Sequence, residues 1–170
     1  AANVIEVGCQ TALMAPTAIL AKQHYMLAKK IFDRTNIKIK LLTGKTETKF
    51  RKKILEELIN GEIDLLVGTH ALFQKKIKFK NLGLVIIDEQ HKFGVKQRIS
   101  LAKKGGKNCD VLLMSATPIP RTMMMSLFGD MDISKLKEKP QFRKEITTLI
   151  KPQRKIDEII PLLRKQLSLK

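Results

Sequence analysis

Leu82-Gly83-Leu84-Val85-Ile86-Ile87-Asp88-Glu89-Gln90-His91 is the stretch on which the fold turns. Leu82–Ile87 is apolar without alternation and β-prone, which predicts a strand covered on both faces. The run ends abruptly in two acids. On either side, short apolar runs alternate with longer segments of helical period. Thr11–Ala15 is a compact apolar run closed by Pro16, and Ile63–Val67 and Val111–Met114 read the same way. Ile37–Leu42 sets Ile37, Ile39 and Leu41 against Lys38 and Lys40, a half-exposed strand. Between these lie predicted helices. Ala18–Phe32 has Ile19, Leu20, Tyr25, Met26, Leu27 and Ile31 near helical spacing. Thr46–Ile59 is expected to turn Phe50, Ile54, Leu55, Leu58 and Ile59 inward before Gly61 stops it. Val95–Lys104, ending at Gly105-Gly106, and Pro120–Phe128 read as further helices.

Strand–helix alternation with uninterrupted apolar strands gives an α/β, doubly wound parallel sheet. Ligands of such sheets sit beyond the carboxyl ends of the strands. Functional groups are therefore expected just after Met14, Val67, Ile87 and Met114.

The chain has 170 residues, enough for a packed core without disulfide or metal staples. Its 33 Lys and Arg against 16 Asp and Glu give a net charge of +17. The excess is broad: residues 22–80 carry 15 basic and 6 acidic side chains, and residues 1–21 carry no base. A polyanion partner fits this balance, most simply nucleic acid. With one Tyr and no Trp, backbone phosphate contact is favoured over base stacking. Two cysteines, Cys9 and Cys109, make no disulfide framework and fit a reducing, cytoplasmic setting. No apolar run approaches the roughly 18 residues of a membrane span.

Gly44-Lys45-Thr46 follows a strand and precedes a helix, the setting of a phosphate-binding P-loop. The full pattern needs a glycine where this chain has Ile39, so the triplet reads as a turn glycine with a threonine helix cap. Asp88-Glu89-Gln90-His91 is more telling. Acids at the mouth of a buried strand are costly unless used. The first carboxylate is suited to orient Mg²⁺ through its waters, and the second to activate the water that attacks a γ-phosphate. Ser115-Ala116-Thr117 ends the next apolar strand, where its hydroxyls could reach Gln90 or His91 across the sheet. Ala15-Pro16-Thr17 and Gly68-Thr69-His70 also end strands and offer hydroxyls and N–H groups at helix starts. Each alone reads as a cap. As a set on one sheet edge they make a track for backbone phosphates. No G-x-S-x-G elbow supports a serine hydrolase, and His24, His70 and His91 lie too far apart in sequence to argue a metal cluster.

Together these strings resemble the motifs of superfamily 2 helicases, and most closely those of the branched-DNA helicases. Met14-Ala15-Pro16-Thr17-Ala18-Ile19-Leu20-Ala21-Lys22-Gln23-His24 resembles motif Ia, and Val67–Leu72 the next DNA-contacting motif. Asp88–Arg98 resembles motif II with its following helix, and Ser115–Thr122 motif III. The transcription-repair coupling factor shares several strings, but Gln90, Gln97 and Phe128–Ser134 favour the branched-DNA group. The resemblance implies a RecA-like sheet of the P-loop NTPase type, with ATP and Mg²⁺ as cofactors and DNA forks, junctions and duplexes as partners. It implies that Asp88 holds Mg²⁺ through water and that Glu89 is the catalytic base. Gln90 and His91 would act beside them, with Ser115 and Thr117 coupling hydrolysis to motion. Pro16, Thr17, Thr69 and His70 would line the DNA track. Ala18 and Lys22 stand where the family usually has glutamates, and Lys139-Pro140-Gln141-Phe142-Arg143 departs from its usual linker.

The same resemblance divides the chain. Residues 1–134 would be a partial first motor domain without its P-loop, 135–145 a linker and 146–170 the first strand and helix of a second motor domain. Such a piece, expected to be cut before residue 1, would hold half an ATP site and be inactive as an ATPase alone. It would need the rest of the same protein: the P-loop segment, the second motor domain and the wedge domain. The alternative is a non-enzymatic basic remnant that binds DNA by charge.

Overall fold

The computed structural model describes residues 1–89, 103–117, 132–136, 138, 148, 150 and 152–168. Five described strands are Gln10–Met14 (β1), Ile39–Leu42 (β2), Leu65–Gly68 (β3), Leu82–Ile87 (β4) and Asp110–Leu113 (β5). They form one parallel sheet in the order β2-β3-β1-β4-β5. Helices Ala2–Glu6 (α1), Ala18–Ile31 (α2) and Thr48–Asn60 (α3) flank it. The expected doubly wound α/β architecture is what the chain adopts.

Two apolar layers cover the two faces. On one, Ile54 and Leu58 of α3 are buried with Ala12, Met14, Leu66, Val85 and Ile87. On the other, Ala21 and Ala28 of α2 are buried with Leu65 and Val67, and Leu13, Ile39 and Leu41 pack alongside. Consecutive strand residues point to opposite faces, so the even and odd positions of β1 and β3 divide between these layers. β2 lies at the edge of the described sheet, and its Lys40 reaches Glu57 of α3 at 3.5 Å.

Helix faces differ in part from the expected ones. In α2 the buried positions are the small residues Ala21 and Ala28, whereas Ile19, Met26, Leu27 and Ile31 are exposed. At about 100° per residue, Ile19 stands roughly 160° and Met26 roughly 140° around the helix from Ala21. In α3, Ile54 and Leu58 are buried but Phe50 and Ile59 are not. Phe50 lies in the first turn of the helix, and Ile59 is roughly 140° around from Ile54. Gly61 ends α3 as expected, in the left-handed conformation at φ 79°. The Glu62 N–H donates to Glu57 O at 2.8 Å and the Gly61 N–H to Leu58 O at 3.2 Å.

Thr46 does not cap α3. The helix starts two residues later, with Glu47 at its N-cap. Instead, Thr46 Oγ1 accepts from the Thr43 N–H at 3.0 Å, and Thr43 Oγ1 accepts from the Lys45 N–H at 3.3 Å. The two hydroxyls close a turn locally, as threonine commonly does. The stretch after β4 expected as helix Val95–Lys104 lies outside the described residues up to 102. Lys103–Asn108 holds 3₁₀ turns broken at Gly106, whose φ of 73° is non-helical. The expected helix Pro120–Phe128 also lies outside the described residues.

One buried amide holds several of these pieces together. Gln10, 4% exposed, opens β1. Its Nε2 donates to Leu58 O at 3.0 Å and Ile63 O at 2.8 Å. Its Oε1 accepts from the N–H groups of Lys80 at 2.8 Å and Asn81 at 3.1 Å. That fills the hydrogen-bonding capacity of a primary amide.

The chain divides into two compact units, Ala1–Met131 and Asp132–Lys170. In the second, a 3₁₀ turn at Gln153–Lys155 leads into helix Ile156–Ser168 (α4), where Ile156–Leu167 was expected. Asp157 and Glu158 in its first turn complement the helix dipole. The expected strand Ile146–Ile150 lies largely outside the described residues.

Replacing Gln10 by Ala would remove the partner of Ile63 O and of the Lys80 and Asn81 N–H groups, while Leu58 O would keep the Gly61 N–H. We expect Gln10→Ala to lower the unfolding free energy by about 1–3 kcal/mol in urea denaturation. A change below about 0.5 kcal/mol would show that this clasp is dispensable.

Candidate functional site

Because all five strands are parallel, their carboxyl ends share one edge of the sheet. Across that edge, in strand order, stand Thr43–Thr46 after β2, Thr69-His70 after β3, Ala15-Pro16-Thr17 after β1, Asp88-Glu89 after β4 and Ser115–Thr117 after β5. The candidate residues thus fall into two neighbouring groups. The expected phosphate track lies on β3 and β1, and the acids and the hydroxyl pair lie on β4 and β5.

Main-chain bonds carry the ladder past the strand ends into these turns. Thr69 N–H donates to Leu42 O at 3.3 Å, and Ala15 N–H to Gly68 O at 2.9 Å. Asp88 N–H donates to Met14 O at 2.9 Å, and Met114 N–H to Ile87 O at 2.8 Å. Close approach also fixes Gly68. A Cβ there would lie 2.3 Å from Leu42 O and 3.0 Å from the Leu72 side chain.

Both carboxylate oxygens of Asp88 are engaged. Its Oδ1 accepts from the Glu89 N–H at 2.9 Å. Its Oδ2 lies 2.7 Å from His24 Nε2, on the second turn of α2. An ionised carboxylate only accepts, so Nε2 carries the proton in this bond. Asp88 remains partly exposed, its side chain at 20%. Glu89 has φ 50°, a left-handed conformation uncommon for a residue with a side chain. Such backbone conformations cost roughly 1–3 kcal/mol and concentrate at functional sites.

Ser115 and Thr117 turn to each other. Their hydroxyl oxygens are 3.1 Å apart, and the Thr117 N–H donates to Ser115 Oγ at 3.3 Å. Gln90 and His91, expected beside them, lie outside the described residues. On the track side, Thr17 is exposed and caps α2, its Oγ1 accepting from the Leu20 N–H at 3.2 Å. Pro16 is half-buried and His70 exposed. Thr69 differs from an edge-lining residue: it is buried at 4% exposure, and its Oγ1 has no hydrogen-bond partner among the described residues. Continuation of the ladder through Thr69 N–H draws it inward and leaves His70 at the surface.

His24 is the functional candidate that the sequence reading passed over as a site residue. In the sequence it closes the Met14–His24 string and is one of three scattered histidines. The available signal was its position seven residues after Thr17, two helical turns along the same helix. No cluster of three or more His, Cys, Asp or Glu suited to caging a metal occurs among the described residues. Asp88, partly exposed and with one donor on each oxygen, keeps lone pairs free for a hydrated divalent cation.

At the opposite end of the sheet, burial, Asp110 and Cys9 together push the Cys109 thiol up. Both cysteines are free. Cys9 precedes β1 and Cys109 precedes β5, with β4 between them. Two strand spacings, roughly 9–10 Å, exceed disulfide reach. We expect iodoacetamide near pH 8 to modify Cys109 more slowly than free cysteine, because a raised pKa leaves less thiolate. Faster modification of Cys109, followed by peptide mass spectrometry, would contradict this.

The family model of the DEAD/DEAH box helicases matches residues 1–126. The ATP-dependent DNA helicase RecG of Thermotoga maritima is 50% identical over 161 residues, which cover 95% of this chain and 20% of that protein. RecG of Bacillus subtilis is 49% identical over 95% of this chain and 24% of its own length. The chain thus spans about a fifth to a quarter of the relatives it matches. Among solved structures, RecG bound to a three-way DNA junction superposes with a TM-score of 0.77 at 45% identity, over 95% of this chain and 21% of that one. The Mycobacterium smegmatis helicase Lhr, at 18% identity and a TM-score of 0.56, shares the fold.

Proposed function

The chain belongs to the DEAD/DEAH box helicase family, and from that premise we propose that it is part of an ATP-driven DNA helicase that remodels forks and junctions. The observation that carries this reading is the order of groups on the sheet edge. Asp88-Glu89 lies directly beside Pro16-Thr17, on the neighbouring strand, in a chain of charge +17. An acidic ATP-hydrolysing group next to a track for phosphates is what a motor needs. The likeness to RecG, including the form bound to a three-way DNA junction, points to branched DNA.

In this reading Asp88 would hold Mg²⁺ through water, using the carboxylate lone pairs left by Glu89 N–H and His24, and the ion, when bound, would supply positive charge for the nucleotide phosphates. Glu89 accepts the proton of the water that attacks the γ-phosphate. Gln90 and His91 act next to Glu89, and the Ser115–Thr117 pair transmits the change toward the rest of the motor. Thr17 and His70 offer donors to backbone phosphates along a track that Pro16 lines, and Thr69 supports their turn from inside. Residues 1–134 would form part of a first motor domain, 135–145 its linker and 146–170 the start of a second. The protein would work in the cytoplasm, where its two thiols stay reduced.

The 170 residues contain no G-x-x-x-x-G-K-[ST] stretch. We therefore expect the isolated chain to hydrolyse ATP only at background rate, with or without DNA. DNA-stimulated hydrolysis by the chain, abolished by Glu89→Gln, would overturn that expectation. For the complete motor, forked DNA should stimulate ATP hydrolysis more than linear duplex, and RNA least. Equal stimulation by RNA would move the assignment to an RNA helicase. Stimulation by none would favour a basic DNA-binding remnant.

A further inference from the structure

We propose that His24 is the positioning residue for Asp88, holding its carboxylate in the one orientation that presents free lone pairs to a divalent cation. This rests on the reading of Asp88 as the cation-orienting acid. Geometry carries it. Each carboxylate oxygen receives one donor, Oδ1 from the Glu89 N–H at 2.9 Å and Oδ2 from His24 Nε2 at 2.7 Å. The first donor belongs to the next residue and moves with the Asp88 backbone. The second comes from a different element, 64 residues away in sequence, and fixes χ2 against the frame of the sheet. A carboxylate held by one local donor alone can rotate about χ2. One held by two donors from independent elements cannot, and it keeps one lone pair on each oxygen for metal-bound water.

The arrangement has a second part. His24 rides on α2, the helix whose first turn is capped by Thr17 at the phosphate track. Seven residues of helix span roughly 10 Å. A shift or rotation of α2 at its capped end therefore reaches Asp88 through a single rigid element and one hydrogen bond. On the sheet edge the acids and the track belong to adjacent strands, and His24 bridges the seam between them.

The test uses the ¹⁵N-labelled 170-residue chain and Mn²⁺ alone as a paramagnetic stand-in for Mg²⁺, reading line broadening of backbone amides. Broadening centred on Ile87, Asp88 and Glu89 is expected in the parent chain and should be lost in Asp88→Asn. In His24→Ala, and in His24→Phe, which keeps the ring volume without the donor, the Mn²⁺ concentration for half-broadening should rise about tenfold. In His24→Gln, whose amide can place a donor near the same point, it should stay within about twofold of the parent. Amide spectra remote from α2 report whether each variant is folded, and His24→Phe keeps the test informative if His24→Ala is not. Equal half-broadening in all His24 variants overturns the positioning role while leaving the Asp88 reading intact. Failure of Mn²⁺ to broaden these amides, or broadening that survives Asp88→Asn, overturns the Asp88 reading and this proposal with it.

Discussion

The buried side-chain amide of Gln10 brings together three stretches of chain that are distant in sequence. It opens the central strand β1 and bonds the last turn of α3, the start of the run into β3, and the main chain just ahead of β4. β1 has β3 on one side and β4 on the other, so register errors at its start would propagate both ways. In a parallel sheet a slip of one residue turns every side chain to the opposite layer. A satisfied amide at the amino end of β1 opposes such a slip, and the carboxyl end then falls where Met14 O receives the Asp88 N–H. The placement of the acidic pair beside the track thus begins at the other end of the strand.

The two covering layers are built differently, and that difference shapes the edge. α3 packs with branched side chains, Ile54 and Leu58, over the centre of the sheet. α2 buries the small residues Ala21 and Ala28, with Leu20 and Tyr25 packed alongside them. The same helix places His24 Nε2 2.7 Å from Asp88 Oδ2. The helix that bears the cap at Thr17 is therefore also the helix that touches the acid. No helix among the described residues is long and apolar enough to cross a membrane.

Much of this was legible in the sequence, and the reasons differ by residue. Leu82–Ile87 announced a doubly covered strand because burial on both faces leaves no alternation, and its bounds match β4. Asp88-Glu89 stood out because charge at the end of such a strand has a solvation cost. Gly61 was legible because only a left-handed terminus needs it. The inward face of α2 was obscured because its burial rests on Ala21 and Ala28, while larger apolar residues stand in solvent. Thr46 was misassigned because a hydroxyl before a helix can close a turn as readily as cap a helix. Gln10 and His24 were out of reach for another reason. Their partners lie 48 to 71 residues away, and local pattern carries no information about such pairs.

The ladder bonds that continue beyond the strands have a mechanical meaning. Thr69, Ala15, Asp88 and Met114 are each tied by a main-chain N–H to the last or near-last residue of the adjacent strand. The turns at this edge are thus stitched into one stiff plate instead of hanging as separate flaps. A plate of this kind yields little when one of its turns is pushed, because displacing any stitch means breaking a ladder bond. A load on one turn is therefore shared with the strands on either side of it.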